Sequence, residues 1–140
     1  MRHAHTLPEM VLTLVLLALC VAIAVPALAN TTARWSVRAA AADVVNALVL
    51  AREAALTRGT TATLVIDAVR GELTVLCGAD TVARRAVGAI HGVTIAASGD
   101  SVRYLPDGVA AGVSNTTVLI ARGGLVDSVV VSRLGRVRWE

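Results

Sequence analysis

The chain has 140 residues, of which 56% are hydrophobic, and a mean hydropathy of +0.71, too high for a protein built only as a water-soluble globule. That length suits one modest domain plus an N-terminal element, and the hydropathy calls for a membrane segment. The net charge of +3 comes from 13 arginines against 10 acids, which permits an anionic partner without demanding one. Two distant cysteines, Cys20 and Cys77, exclude a disulfide framework and a paired-cysteine metal site.

From Met10 to Leu28 the chain carries no charge. At ~1.5 Å per helical residue such a run of about 19 spans a hydrocarbon core of ~30 Å. It exceeds the ~7–15 apolar residues of a secretory signal. Ala27-Leu28-Ala29 before Asn30 would still serve as a cleavage site for an exported β-protein. Against that reading, Glu9 is an acid where a signal needs a basic tip. Leu17-Ala18-Leu19-Cys20 lacks the small residue that a lipoprotein needs just before its cysteine. Thr6 and Glu9 form a T-x-x-E capping box with Pro8 in the first turn, which starts a helix at Thr6. A plain anchor would explain Glu9 by that cap alone.

Beyond Ala29-Asn30, Val37, Ala41, Val44, Leu48, Ala51 and Ala55 recur at alternating spacings of four and three. They predict one apolar stripe on an amphipathic helix. Arg58 followed by Gly59 is a helix stop. One long helix, loosened at Pro26, is therefore expected from Thr6 to Arg58.

The remainder reads as antiparallel β-structure. Thr61–Asp67 and Glu72–Cys77 alternate around a short turn and predict a hairpin. Further strands are expected at Val93–Ala96, Ser101–Leu105, Thr116–Arg122, Asp127–Ser132 and Arg136–Trp139, with turns between them. Ala79–Ile90 reads as a loop or a short strand. Residues 59–140 are few for an independent core, so the outer half of the helix should complete it.

Ala4-His5-Thr6-Leu7-Pro8-Glu9-Met10, the apolar run and Pro26 together resemble the class III signal of type IV pilins and type II secretion pseudopilins. The resemblance implies cleavage between Ala4 and His5 by a prepilin peptidase and N-methylation of His5. Glu9 and Pro26 then stand where that family has its assembly acid and its helix-loosening proline. Ala4, His5 and Pro8 replace the family's usual Gly, Phe and aliphatic residue. The alanine-rich run Arg38–Gly59, Tyr104-Leu105-Pro106-Asp107-Gly108 and Val129–Arg138 are similar to the GspH/FimT branch. The implied fold class is α+β and pilin-like, with one long N-terminal helix packed on a small antiparallel β-sheet domain. The implied organisation is a leader at 1–4, a transmembrane half of the helix at 5–29, an amphipathic periplasmic half at 30–58 and a β-rich domain at 59–140.

No catalytic constellation is legible. HExxH, GxSxG, P-loop and CxxC motifs are all missing from the sequence. His91 stands alone and reads as a surface or turn residue, and Asp107 in Pro-Asp-Gly as a turn aspartate. Arg133, Arg136 and Arg138 crowd six residues, and the last two should share one strand face. Paired arginines can grip phosphate. Some FimT-type minor pilins carry a similar G-R-x-R stretch associated with DNA uptake. The bland alternative is an edge strand whose charge discourages edge-to-edge pairing.

The expected function is that of a GspH-like minor pseudopilin of a type II secretion system. It would be a non-enzymatic structural subunit with no cofactor. Its partners would be other pseudopilins or pilins, prepilin peptidase and the bacterial inner membrane, crossed once with the N-terminus cytoplasmic and the C-terminal domain periplasmic. DNA is the partner only in the FimT-like alternative.

Overall fold

The computed structural model of the chain describes residues 6–111, 115–132 and 135–139. The chain divides into two compact units, Met1–Thr32 and Ala33–Glu140. Helix α1 is Leu7–Arg58 and includes Pro26.

In the first unit the helix begins where the capping box predicts, with Met10 N donating to Thr6 O at 3.2 Å. Thr13 and Thr32 satisfy their hydroxyls on the helix's own backbone, donating to Met10 O at 2.8 Å and Ala29 O at 2.9 Å. The most apolar 18-residue window has a mean hydropathy of 2.9 and is 0% buried. A helix that is apolar all round and uncovered by protein is suited to lipid.

The second unit begins on the amphipathic part of α1. Every residue of the predicted stripe is buried, and Ala40 and Ala54 join it. The alanines let other elements approach the helix axis closely. Gly59 ends the helix as predicted.

The strands are β1 (Ala62–Asp67), β2 (Glu72–Cys77), β3 (Asp80–Arg85), β4 (Thr94–Ala97), β5 (Ser101–Tyr104), β6 (Ala110–Ala111), β7 (Thr116–Arg122), β8 (Leu125–Val131) and β9 (Val137–Trp139). A short helix α2 (Val87–His91) lies between β3 and β4. The ambiguous segment 79–90 is therefore strand β3 followed by most of α2. Nothing in its side-chain pattern alternates, because β3 is an edge strand with neither face deeply buried. Its Arg84 pairs with Glu72 on β2, a charged edge of the kind that discourages pairing with other chains.

The expected antiparallel β-sheet domain is made of two sheets, with orders β3-β2-β1-β5-β6 and β4-β7-β8-β9, and all strand pairs are antiparallel. The split follows from the connection at Ser98-Gly99-Asp100. Ser98 N still bonds Thr117 O of one sheet at 2.9 Å, while Asp100 O accepts Ile66 N of the other at 2.8 Å. The chain thus leaves one ladder and enters the next within three residues. Both sheets and α1 share one core, whose members include Val44 and Leu48 of the helix and alternate strand residues such as Leu64, Val75, Ile120 and Val129. At ~25 cal/mol per Å² of apolar burial, this shared core is the main stabilising term.

Candidate functional site

The residues singled out in sequence fall into separate places. Glu9 occupies the first turn of α1. Acid at a helix N-terminus is favourable to the macrodipole, so a structural reason for Glu9 stands beside any role in assembly. Ala4, His5 and Arg133 lie outside the described residues.

Arg136 and Arg138 line one groove of about 630 Å³. Its apolar surface comes from Val49 and Val137, with the buried Leu48 and Tyr104 beneath them, and its third arginine is Arg52 of α1. The groove is shaped by a tight turn: Gly135 N donates to Ser132 O at 2.8 Å, Ser132 N to Arg136 O at 2.8 Å, and Arg136 N to Ser132 Oγ at 3.1 Å. The two C-terminal signatures meet here. A Cβ on Gly135 would lie 3.2 Å from Tyr104 Cε1 and 3.4 Å from Gly108 O. A Cβ on Gly108 would lie 3.1 Å from Leu56 Cδ2 and 3.2 Å from Arg52 Nε. Glycine at both positions lets the Pro-Asp-Gly turn, the ring and α1 close together. Asp107 plays the predicted turn role, its Oδ1 accepting Val109 N at 3.0 Å.

Tyr104 is fully buried, and its hydroxyl has no hydrogen-bond partner among the described residues. Burial pushes that hydroxyl above its ordinary pKa, partly opposed by the nearby positive charge of Arg52. Arg52 was not predicted for the groove. It sits on the helix off the apolar stripe, and only the tertiary fold brings it to the groove that Arg136 lines.

A second cluster escaped the sequence reading altogether. Asp43 Oδ2 accepts from Arg85 Nε at 2.8 Å and lies 2.7 Å from His91 Nε2. Arg122 Nη1 donates to His91 O at 2.6 Å and to Ser36 Oγ. His91 is thus a half-buried latch onto α1, contrary to its reading as a lone surface residue. These contacts join residues 31 to 86 positions apart, which no local pattern reveals. Among the described residues, no group of three or more His, Cys, Asp or Glu side chains could hold a metal ion. Cys77 is a core residue, its Sγ lying 3.6 Å from Ala54 O and 3.2 Å from Thr60 Oγ1.

Residues 40–135 match the family model described as "Type II transport protein GspH". Among solved structures, the fold is similar to the type IV minor pilin FimU of Pseudomonas aeruginosa. The TM-score is 0.67 at 16% identity, over 79% of this chain and 92% of that one. It is also similar to the minor pseudopilin EpsH from the type 2 secretion system of Vibrio cholerae. There the TM-score is 0.62 at 17% identity, over 75% of this chain and 96% of that one. The search of curated proteins found no match.

Proposed function

The chain belongs to the family of the type II transport protein GspH, and on that premise we propose that it is a minor pseudopilin, a structural subunit of the pseudopilus in type II secretion. In this reading a prepilin peptidase cuts between Ala4 and His5, and the new amine on His5 is methylated. Residues 5–29 cross the inner membrane with the N-terminus cytoplasmic, and the β-rich unit lies in the periplasm. Subunits enter the pseudopilus by packing their apolar helices. Glu9 faces the N-terminal amine of a neighbour, since a carboxylate at a membrane boundary is costly unless paired. Pro26 gives the helix a point of local adjustment.

One observation carries the reading. An uncovered apolar helix with an acid in its first turn precedes an amphipathic helix whose stripe is sealed by two sheets. An exported β-protein released after Ala29 would discard Glu9 with its signal. Mass spectrometry of the mature protein separates the two. A methylated N-terminal His5 is the expected result, and a chain starting at Asn30 would defeat the proposal.

A second reading rests on the groove. Arg52 adds a third guanidinium to Arg136 and Arg138, as a phosphate backbone would require. A FimT-like minor pilin would bind DNA there, and Arg133, close by in sequence, is the further candidate. For the detergent-solubilised full chain, DNA affinity should then fall as salt rises. Arg136→Gln with Arg138→Gln should lower the salt slope by about 2. Absence of binding at low salt would leave only the secretion reading.

A further inference from the structure

Arg34, Trp35 and Arg38 are exposed side chains where α1 enters the globular unit. At ~100° per residue they cover an arc of about 100°, with Arg38 between the other two. Side chains on a helix lean toward its N-terminus, so all three lean toward the end that the apolar run precedes. Trp35 is 68% exposed, an unusual position for the largest apolar side chain. Neither Arg34 nor Arg38 has an ion pair or hydrogen bond among the described residues. Beside them lies a hollow of about 200 Å³ lined by Leu125, Val126 and Asp127. Val126 is 59% exposed. Asp127 accepts from Trp139 Nε1 at 3.4 Å and offsets one of the two arginine charges, so the face stays positive.

An indole flanked by guanidiniums fits a membrane interface. The ring is amphipathic and favours headgroup depth. Arginine lays its apolar stem along a surface while its planar head binds phosphate. Chain length limits where this face can be. Seven residues separate Leu28 from Trp35, so Trp35 stays within about 25 Å of the end of the apolar run whatever path the chain takes.

We propose that Arg34, Trp35 and Arg38 seat the globular unit on the anionic phospholipid headgroups where the apolar run leaves the membrane. The guanidiniums bind lipid phosphates and the indole lies among the headgroups. This sets the height and facing of the β-rich unit before the subunit joins a filament. The inference rests on the reading that residues 10–28 cross a membrane.

The test uses the full chain with Trp139→Phe, which leaves Trp35 as the sole tryptophan, in lipid nanodiscs. The acyl chains are brominated near the headgroup, and the lipid is phosphatidylcholine alone or mixed with phosphatidylglycerol. Trp35 emission should be blue-shifted and quenched in the anionic discs. Arg34→Gln with Arg38→Gln should lower the docking equilibrium constant about 30-fold. High salt should weaken docking in the same direction. An unquenched, water-like emission in anionic discs would overturn the proposal. So would quenching indifferent to lipid charge and to both arginines, or a blue shift without quenching that grows with protein density, which would mark a second copy covering the ring. A companion chain with Leu16→Trp, Trp35→Phe and Trp139→Phe reports the span itself. If that probe is quenched while Trp35 is not, only the docking inference fails. If neither is quenched, the membrane reading fails with it.

Discussion

Gly71→Ala should remove most of the stability of the globular unit. Gly71 has φ +63°, and a Cβ there would lie 2.8 Å from Gly88 Cα and 3.2 Å from Gly88 N. A left-handed alanine costs ~1–2 kcal/mol by itself. The clash adds ~1–3 kcal/mol, because both obstructing atoms are backbone and no side chain can swing away. Together these approach the lower end of the ~5–15 kcal/mol that holds a typical domain. The contact also carries a hydrogen bond, Gly88 N to Gly71 O at 2.8 Å, which ties α2 to the β1–β2 turn. Thermal unfolding of the detergent-solubilised chain, followed by near-UV circular dichroism, should show a midpoint lowered by roughly 10–20 °C. Gly59→Ala is the control. Gly59 has φ +60° with nothing within 4 Å of its Cβ position, so only the conformational cost remains. Equal shifts for the two variants would mean that the Gly71–Gly88 approach contributes nothing.

Asp43→Ala should be the next most damaging change outside the apolar core. Asp43 and His91 side chains are 11% and 17% exposed, and Arg85 is about half exposed. Removing the carboxylate leaves the half-buried imidazole and one guanidinium without their acceptor. A fully buried pair broken this way costs ~3–5 kcal/mol, and the exposure of Arg85 reduces that to ~2–3 kcal/mol here. Asp43→Asn retains an oxygen in the same place and should lose about half as much. Urea unfolding read through Trp139 fluorescence in a Trp35→Phe background gives the values. Hydrogen exchange should show the loss of protection concentrated in α2, the element that His91 fastens to α1. The double variant Asp43→Ala with His91→Ala should cost less than the sum of the single changes. Additive costs would show that the pair is not coupled.

The helix and most strands were legible because their signals are local and periodic, and the family through the resemblance of its motifs. An uncharged run of membrane length, a stripe at helical spacing and a Gly-terminated helix each depend on neighbours within one or two turns. The β1–β2 hairpin was equally plain, since one face of each strand is buried and the side chains alternate. Segment 79–90 was not, because β3 lies at a sheet edge and α2 is too short to show a period. The boundaries of β8 and β9 shifted by one or two residues. Arg136, expected within a strand, closes the turn before it.

The candidate sites divide along the same line. Glu9 was singled out by its position in a motif, and Arg136 and Arg138 by their spacing; the structure adds that the two arginines line one groove. Arg52 and the Asp43–His91–Arg122 cluster were not found, because their partners are distant in sequence and each side chain alone looks like an ordinary solvated residue.

By itself, then, the sequence determined the membrane-suited helix, the amphipathic stripe and most strands, since periodicity and apolar length act along the chain, while the family came from the resemblance of short motifs. Tertiary structure alone decided that there are two sheets, that Gly71 must meet Gly88 backbone to backbone, that Asp43 anchors α2, and that Arg52 faces Arg136 across a groove. Each of these depends on which surfaces meet when the apolar faces are buried together, and that burial is non-directional. It leaves the polar partners to be set by register and by close approach.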